Sequence, residues 1–390
     1  MITVSGCDNL ADPDPYSSDA KFASSMEFAA SMKIGWNLGN QMDAHNNGNP
    51  SETAWRGANA PLASQALMNG VAAQGFGVVR IPVTWLNKIG DAPNYTIDPV
   101  WLNRAAEVVG YAHAAGMKAI INLHHDGADS RYWLSVKEAD LTGPAKTAMD
   151  AKYKAVWRQI ANKFKDTGNL LIFEGFNELH DGSWSDGSPD QRRRVNELNQ
   201  IFVNTVRSVG GKNSNRYLLI HGWVTRPSLL QHLVMPADKA KDRLIVGFHF
   251  YDPYNFTLEA AQNVWGSKAN PGGGNNWGNE SGIQNTFNSV KTRFIDNGIP
   301  VIIGEYGAVN RSGDAFAYQK YYMEYVTKLA HDCGFVPVLW DNDAGGTGRE
   351  RSRMFNRATG QPANSDTAEI IRLMMKAVNN DYQLSEITPP

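Results

Sequence analysis

Cysteine is nearly missing: Cys7 and Cys333 are the only two in 390 residues. That excludes a fold stapled by disulfides, and with Cys7 in a polar tail two free thiols are expected. Long apolar runs are missing too. No stretch approaches the ~18 consecutive apolar residues of a membrane span. A basic surplus is also absent, since 37 Lys plus Arg face 39 Asp plus Glu, for a net charge of -2. An extended nucleic-acid face is therefore excluded, and no nucleic-acid partner is expected. The only basic run, Arg192-Arg193-Arg194, falls in a helical pattern and reads as a solvated helix face. The Gly-rich stretch Pro271-Gly272-Gly273-Gly274-Asn275-Asn276-Trp277 has no Gly-Lys-Ser/Thr, so it is not a phosphate loop. No Gly-x-Ser-x-Gly elbow and no His-Glu-x-x-His helix occur, which argues against a serine hydrolase and against a zincin. No linker rich in Pro, Gly or Ser divides the chain internally.

The first residues are rich in Asp, Pro and Ser. Residues 1–22 read as a poorly ordered tail or linker. Val4-Ser5-Gly6-Cys7 looks like the cleavage box of a bacterial lipoprotein signal, yet no charged and apolar signal regions precede it. A lipid anchor at Cys7 and an unmodified tail are the two readings. Residues 383–390 read as a C-terminal tail.

Between the tails, strand-like runs alternate with helical patterns. The strands read as Lys33 to Asn40, Phe76 to Ile81, Lys118 to His124, Leu170 to Asn177, Tyr217 to His221, Leu244 to His249, Pro300 to Gly304, and Phe335 to Trp340. A short helix starts at the capping pattern Ser24-Ser25-Met26-Glu27. Asp98-Pro99 supplies an N-cap and a first-turn proline, with Val100, Ala105, Val108, Val109 and Ala112 at helical spacing and Gly116 closing the helix. Further helices follow around Tyr153 to Phe164, Leu198 to Val206, Ser228 to Leu233, Phe287 to Phe294, Tyr321 to Leu329 and Ile370 to Val378. Such alternation implies parallel strands joined by right-handed crossovers. Repeated eight times with continuous apolar strands, it predicts a single-domain α/β protein over residues 23–382, a closed (β/α)8 TIM barrel.

In that fold the active site lies at the C-terminal strand ends. Those ends supply Asn37 and Asn40; Arg80 and Trp85; His124 and His125; Asn177 and Glu178; His221 and Trp223; His249 and Tyr251; Glu305; and Trp340, Asp341 and Asn342. Two apolar runs each push one glutamate out at the end, Glu178 and Glu305. Carboxylates on strands four and seven can flank one bond, as retaining glycoside hydrolysis requires, with about 5 Å between them. Glu305 must attack as an anion, with Tyr251 donating to it and Arg80 holding its charge. Glu178 must carry a proton and then act as base, and nearness to Glu305 is expected to raise its pKa. Asn177 suits the sugar 2-hydroxyl, and Trp340 suits the floor of a subsite. Glu174, deeper in the same strand, reads as structural. His124, His125, His221, His249 and Glu178 also form a rim set that a metal-dependent hydrolase would use. A non-catalytic carbohydrate-binding barrel is the reading outside enzymology.

The chain resembles glycoside hydrolase family five, the cellulase-type (β/α)8 enzymes, over about residues 25 to 380. The motifs are Gly35-Trp36-Asn37-Leu38-Gly39-Asn40, Arg80-Ile81-Pro82-Val83-Thr84-Trp85, Asn122-Leu123-His124-His125, Phe176-Asn177-Glu178, His249-Phe250-Tyr251-Asp252-Pro253-Tyr254, Gly304-Glu305-Tyr306-Gly307 and Leu339-Trp340-Asp341-Asn342. The resemblance implies Glu178 as acid/base and Glu305 as nucleophile. It also implies Arg80, His124, Asn177, His249, Tyr251 and Trp340 as further active-site residues; Asn37 and His125 join the candidate substrate contacts. The motifs look like subfamily four, whose members act on cellulose, mixed-linkage β-glucan and xyloglucan. Glu52-Thr53-Ala54-Trp55 fits it, but the usual Gly-Asn-Pro is replaced by Arg56-Gly57-Ala58-Asn59-Ala60-Pro61. The implied activity is a retaining endo-β-1,4-glucanase, with xyloglucan or mannan as other substrates. It needs no cofactor and no metal. A monomer that is extracellular, periplasmic or on the cell surface is expected. Trp85, Trp133, Trp265 and Trp277 are expected to line subsites, and Trp265 to Glu280 to form a loop over the active face.

Overall fold

The computed structural model describes residues 18–127, 132–269 and 278–390. Eight parallel strands close into a barrel. They are β1 (Gly35–Asn37), β2 (Val78–Ile81), β3 (Lys118–Asn122), β4 (Leu171–Glu174), β5 (Leu218–His221), β6 (Leu244–Phe250), β7 (Val301–Tyr306) and β8 (Phe335–Leu339). Each pairs with its neighbours in sequence, and β1 closes the ring on β8 through Gly35 against Val338. The flanking helices are α1 (Ser25–Ala30), α2 (Gln65–Ala73), α3 (Pro99–Ala114), α4 (Gly143–Lys163), α5 (Pro189–Val209), α6 (Glu280–Arg293), α7 (Asp314–Asp332) and α8 (Ser365–Asn379).

The local signals act as their chemistry requires. Ser24 accepts from the Glu27 N–H and starts α1. The Asp98 carboxylate accepts from the Val100 N–H, with Pro99 in the first turn of α3. Gly116 follows that helix at φ +81°, a conformation that costs glycine nothing. Two elements depart from the sequence pattern. The helix α2, capped by Ser64 and buried through Leu67, Met68 and Val71, is too short to show a periodic stripe. The crossover after β5, expected as a helix at Ser228 to Leu233, is a 3-10 turn over Pro227–His232. The run Arg192 to Arg194 is not wholly solvated either. Arg194 is buried and pairs with Asp150 at 2.5 Å.

The barrel interior is built in two layers. Period-two alternation turns Val78, Ile120, Ile172, Leu219, Ile245, Ile302 and Val338 inward as an apolar lower layer, and α1 plugs it with Phe28, stacked on Tyr217 at 3.7 Å. Two residues further along, the same inward face turns polar at Asn37, Arg80, Asn122, Glu174 and His221, and on β6 it does so four residues past Ile245, at His249. All six are buried. The outward set, including Val79, Ile81, Phe173 and Ile220, packs against the helices.

Past the last helix, Leu384–Glu386 forms a 3-10 turn, Ile387 is buried, and the Tyr382 hydroxyl donates to Glu324 at 2.9 Å. Cys333 is a buried free thiol. Cys7, the tail up to residue 17 and the segment Pro271 to Trp277 lie outside the described residues. No helix among the described residues is long and apolar enough to cross a membrane.

Candidate active site

Arg80 organises the upper layer. Its side chain has no exposed surface. Nε and Nη2 donate to the two oxygens of Glu174, both at 2.7 Å. Nη1 donates to Glu305 Oε1 at 2.7 Å and to Asn37 Oδ1 at 3.0 Å, and Nη2 also reaches Asn177 Oδ1 at 2.8 Å. A planar guanidinium is the one side chain whose fork of donors matches this set. Burial opposes ionising Glu174, but the bidentate Arg80 contact outweighs it and holds the carboxyl well below the usual range. The same pairing holds the Arg80 guanidinium firmly protonated against its own burial.

Glu305 reaches the cleft through a β-bulge. Phe248 of β6 faces Ile303, but the next residue, His249, faces Glu305, so Gly304 is the extra residue. The β8 side shows the same slip between Pro337 and Leu339. The bulge re-aims the side chain that follows it. Only glycine fits there, because a Cβ on Gly304 would lie 2.9 Å from His249 Nε2. The glutamate then accepts from Arg80 on Oε1 and from the Tyr251 hydroxyl on Oε2 at 3.0 Å. Burial, then Glu305, pushes the Tyr251 phenol well above its ordinary pKa, so it remains a donor.

Glu178 stands just beyond β4, with 19% of its side chain exposed. His249 Nδ1 lies 2.6 Å from its Oε1. Burial brings the His249 pKa down to about 3, so the ring is neutral. The Nδ1–H tautomer is assigned from this contact, because Nε2 is buried without a partner and a bare lone pair there costs less than an orphaned N–H. Burial also raises the Glu178 pKa, against the opposing pull of Arg80 and His180. Burial, and not the nearness of Glu305, is thus the leading cause. An oxygen of Glu178 and an oxygen of Glu305 lie within 4.8 Å of each other.

Beside Glu178 lies a cleft of about 320 Å³ lined also by His124, His125, Tyr132, Asn177, His180 and Trp184, among others. His124 is kept neutral, chiefly by burial and then by His125, and its ring lies parallel to Trp340 at 6.1 Å. The half-buried Trp340 ring needs Gly39 beneath it, where a Cβ would approach to 2.9 Å. Among the described residues, three groups of side chains have ligand atoms within 4.8 Å of one another: Asp43, His124 and His125; Glu174, His221 and His249; and Glu178, His249 and Glu305. In the latter two Arg80 already supplies the positive charge to Glu174 and Glu305, which weakens both as cation sites.

A barrel with two carboxylates at this spacing is a glycosidase geometry, and the family comparison decides it. Residues 39–346 match the model for cellulase, glycosyl hydrolase family 5. The chain belongs to glycosyl hydrolase family 5. Among relatives of this family 5 chain, endoglucanase A of Paenibacillus barcinonensis is 37% identical over 87% of each chain. A xyloglucan-specific endo-beta-1,4-glucanase of Bacteroides ovatus is 35% identical over 97% of this chain and 75% of its own length. Among solved structures, a GH5-4 broad specificity endoglucanase from Bacteroides salanitronis is 45% identical with a TM-score of 0.87, covering 93% of this chain and 97% of that one.

Set against the residues expected from the sequence, the family 5 site differs in its layers. Glu178, Glu305, His124, His125, Asn177, His249, Tyr251 and Trp340 gather at one rim. Asn37 and Arg80, among the candidate substrate contacts, have no exposed surface; Arg80 holds Glu174 and Glu305, and Asn37 accepts from Arg80 and donates to the carbonyls of Gly304, Val338 and Leu339. His221 is buried with Nε2 3.1 Å from Glu174. The tryptophans expected at subsites are mostly elsewhere. Trp85 and Trp265 are buried, and Trp133 spends its indole N–H on Asp126 at 2.8 Å. Trp265 packs among Tyr321, Tyr322 and Tyr325 rather than walling the cleft, and Trp277 lies outside the described residues. Among the described residues the exposed indole rings are Trp55 at 44% and Trp184 at 50%. Trp184 stacks on His180 at 4.0 Å. Its setting, Asp181-Gly182-Ser183-Trp184-Ser185-Asp186-Gly187, is a polar loop sequence in which a tryptophan has no core to enter. Arg56, at the departure from the usual loop pattern, pairs with Asp343 at 2.7 Å. It thereby ties the first βα loop to the last.

Proposed function

We propose that this protein is a retaining endo-β-1,4-glucanase that cleaves β-glucans by double displacement, with Glu178 as acid/base and Glu305 as nucleophile. One observation carries the reading: the two carboxyl groups approach within 4.8 Å. Retaining enzymes hold the pair about 5–5.5 Å apart, whereas inverting enzymes leave roughly 6.5–9.5 Å for a water.

The surrounding groups fit these roles. Arg80 and Tyr251 fix both oxygens of Glu305, which presents one geometry for attack on the anomeric carbon. Burial keeps a proton on Glu178 above the ordinary carboxyl range, as a general acid needs. Asn177 Oδ1 accepts from Arg80, which leaves the Asn177 amide hydrogens for a sugar hydroxyl. The Trp340 ring and the exposed Trp55 and Trp184 supply flat apolar faces for sugar rings. In the first step Glu305 bonds to the anomeric carbon as the glycosidic oxygen leaves with the Glu178 proton. In the second, Glu178 takes a proton from water as the water oxygen bonds to the anomeric carbon and the bond to Glu305 breaks, returning its carboxylate and releasing the sugar with its configuration retained.

Xyloglucan is the second reading. It is favoured by the xyloglucan-specific relative from Bacteroides ovatus and by a family 5 xyloglucanase structure from Paenibacillus pabuli, 37% identical with a TM-score of 0.82. A β-glucan polymer does not cross a membrane, so the site of action is extracellular, periplasmic or at the cell surface, with a lipid on Cys7 as one way to hold it there. Both glutamates and the groups that hold them belong to one chain, so a monomer would suffice for the reaction. A reducing-sugar assay on cellulose, lichenan, xyloglucan and mannan, with product sizes followed in time, tests the reading. Mid-chain products from at least one of the first three are expected; no release from any of them rules it out.

A further inference from the structure

We propose that Thr225 is a positioning residue for Glu178: His249 occupies Oε1 and leaves the transferable proton to Oε2, and the Thr225 hydroxyl turns to Oε1 once that proton has gone. This rests on the acid/base assignment of Glu178 made above. All hydrogen bonds of the Glu178 carboxyl among the described residues fall on one oxygen. His249 Nδ1 lies 2.6 Å from Oε1, and the Thr225 hydroxyl lies 3.3 Å from the same atom. Oε2 is left for the cleft.

The backbone behind Thr225 is costly. Val224 and Thr225 stand at φ 46° and 53°, two consecutive β-branched residues in the left-handed region. Such residues occupy it only where the surroundings over-determine them, and the strain clusters at functional positions. Here the surroundings are specific. Val224 N–H donates to the Leu179 carbonyl at 3.1 Å, beside Glu178. The neighbouring Trp223 indole donates to the Ser185 carbonyl at 2.8 Å. Thr225 itself is fully buried, so its hydroxyl is aimed by the fold and not by water.

That hydroxyl has one hydrogen and two acceptors in reach. Its oxygen lies 2.6 Å from the Val224 carbonyl and 3.3 Å from Glu178 Oε1. While Glu178 is protonated, Oε1 is a neutral carbonyl oxygen already taking the His249 N–H, and the hydroxyl hydrogen stays on the nearer Val224 carbonyl. When the bond from the anomeric carbon breaks, its electron pair goes to the glycosidic oxygen, which takes the proton from Oε2. Glu178 is then an anion, and the Thr225 hydrogen turns to Oε1, where a charged acceptor is stronger. When water gives its proton back to Oε2 the hydrogen returns to Val224. Thr225 never loses its proton. The other titratable or charged groups facing Glu178 are Arg80, His125, His180, His249, Tyr251 and Glu305, and none is altered by a change at position 225.

The test is the pH profile of kcat/KM on cellotetraose and on a dinitrophenyl β-cellobioside, for wild type, Thr225→Val, Thr225→Ser and Glu178→Ala. Without the hydroxyl, the ionised form loses a donor. Thr225→Val is expected to move the alkaline limb to higher pH and to cut kcat on cellotetraose about tenfold with KM unchanged. The burst of dinitrophenol, which needs no acid, stays near wild type, and Thr225→Ser restores the limb. Should Thr225→Val not fold, Thr225→Gly removes the hydroxyl at a φ that glycine adopts freely. An unmoved alkaline limb in the Val or Gly variant, or a loss shared equally by both substrates and not restored by Ser, overturns the proposal. Full cellotetraose activity in Glu178→Ala overturns the acid/base reading instead, so the two failures are separable.

Discussion

Truncating Glu305 to alanine separates its chemical role from its structural one. Structurally the loss is contained. Arg80 keeps both bonds to Glu174 and its contacts to Asn37 and Asn177. Two hydrogen bonds to the carboxylate go, from Arg80 and from Tyr251, each worth about 1.5–3 kcal/mol, and the cost of burying that charge goes with them. The barrel should therefore stay folded, with a modest drop in the urea midpoint. Chemically the loss is severe, because no other carboxylate reaches that face of the sugar: Glu174 is held by Arg80 with no exposed surface. A fall in kcat of at least ~10⁴, or roughly 5.5 kcal/mol of barrier, is expected. The space vacated lies opposite Glu178, so azide can enter on the face Glu305 used. Added azide should restore release of dinitrophenol from the aryl β-cellobioside and yield the α-glycosyl azide, identified by proton NMR. Near-wild-type hydrolysis by Glu305→Ala, or a β-glycosyl azide as its product, would refute the assignment.

Three further outcomes follow from the same contacts. The Glu178 acid form is present below its raised folded pKa and lost as pH rises through it, so the alkaline limb of kcat/KM should lie above the ordinary glutamate value of ~4.3; a limb at or below that value contradicts the burial argument. Gly304→Ala places a Cβ 2.9 Å from His249 Nε2, which must push the ring off Glu178 or flatten the bulge. A hundredfold loss of kcat is expected, on the scale of a ~1 Å misplacement, and steady-state kinetics within threefold of wild type would show that the bulge is dispensable. Arg216 is fully buried with no salt bridge among the described residues, and its guanidinium donates to Asn213 Oδ1 and to the carbonyls of Phe164, Thr167, Gly168 and Leu171. Arg216→Met orphans those acceptors and should cost on the order of 3–5 kcal/mol in urea unfolding; a cost under about 1 kcal/mol would mean that water replaces the guanidinium.

The strand ends were legible because burial on both faces forces unbroken apolar runs, and the polar residue that stops each run stands out. Glu178 and Glu305 were visible on that ground alone, as were the cap at Asp98 and the stop at Gly116. The tryptophans were not. An indole signals a large apolar surface but not which surface covers it, so Trp85 and Trp265 looked like subsite walls and proved to be packing. Asn37 looked like a substrate contact for the same reason, and so in part did Arg80, although it also holds Glu305 as its strand-end position suggested. A polar side chain at a strand end can face substrate or face another polar side chain, and only the closed ring decides which.

What the sequence determined by itself was the alternation, and hence the barrel and the rim to which the two acids belong. The tertiary structure decided their spacing, the bulge at Gly304 that turns Glu305 into the cleft, and the left-handed turn that brings Thr225 to Glu178. Periodicity is a property of neighbours along the chain. Distance between residues over a hundred positions apart depends on how eight strands tilt and close, and no local pattern encodes that.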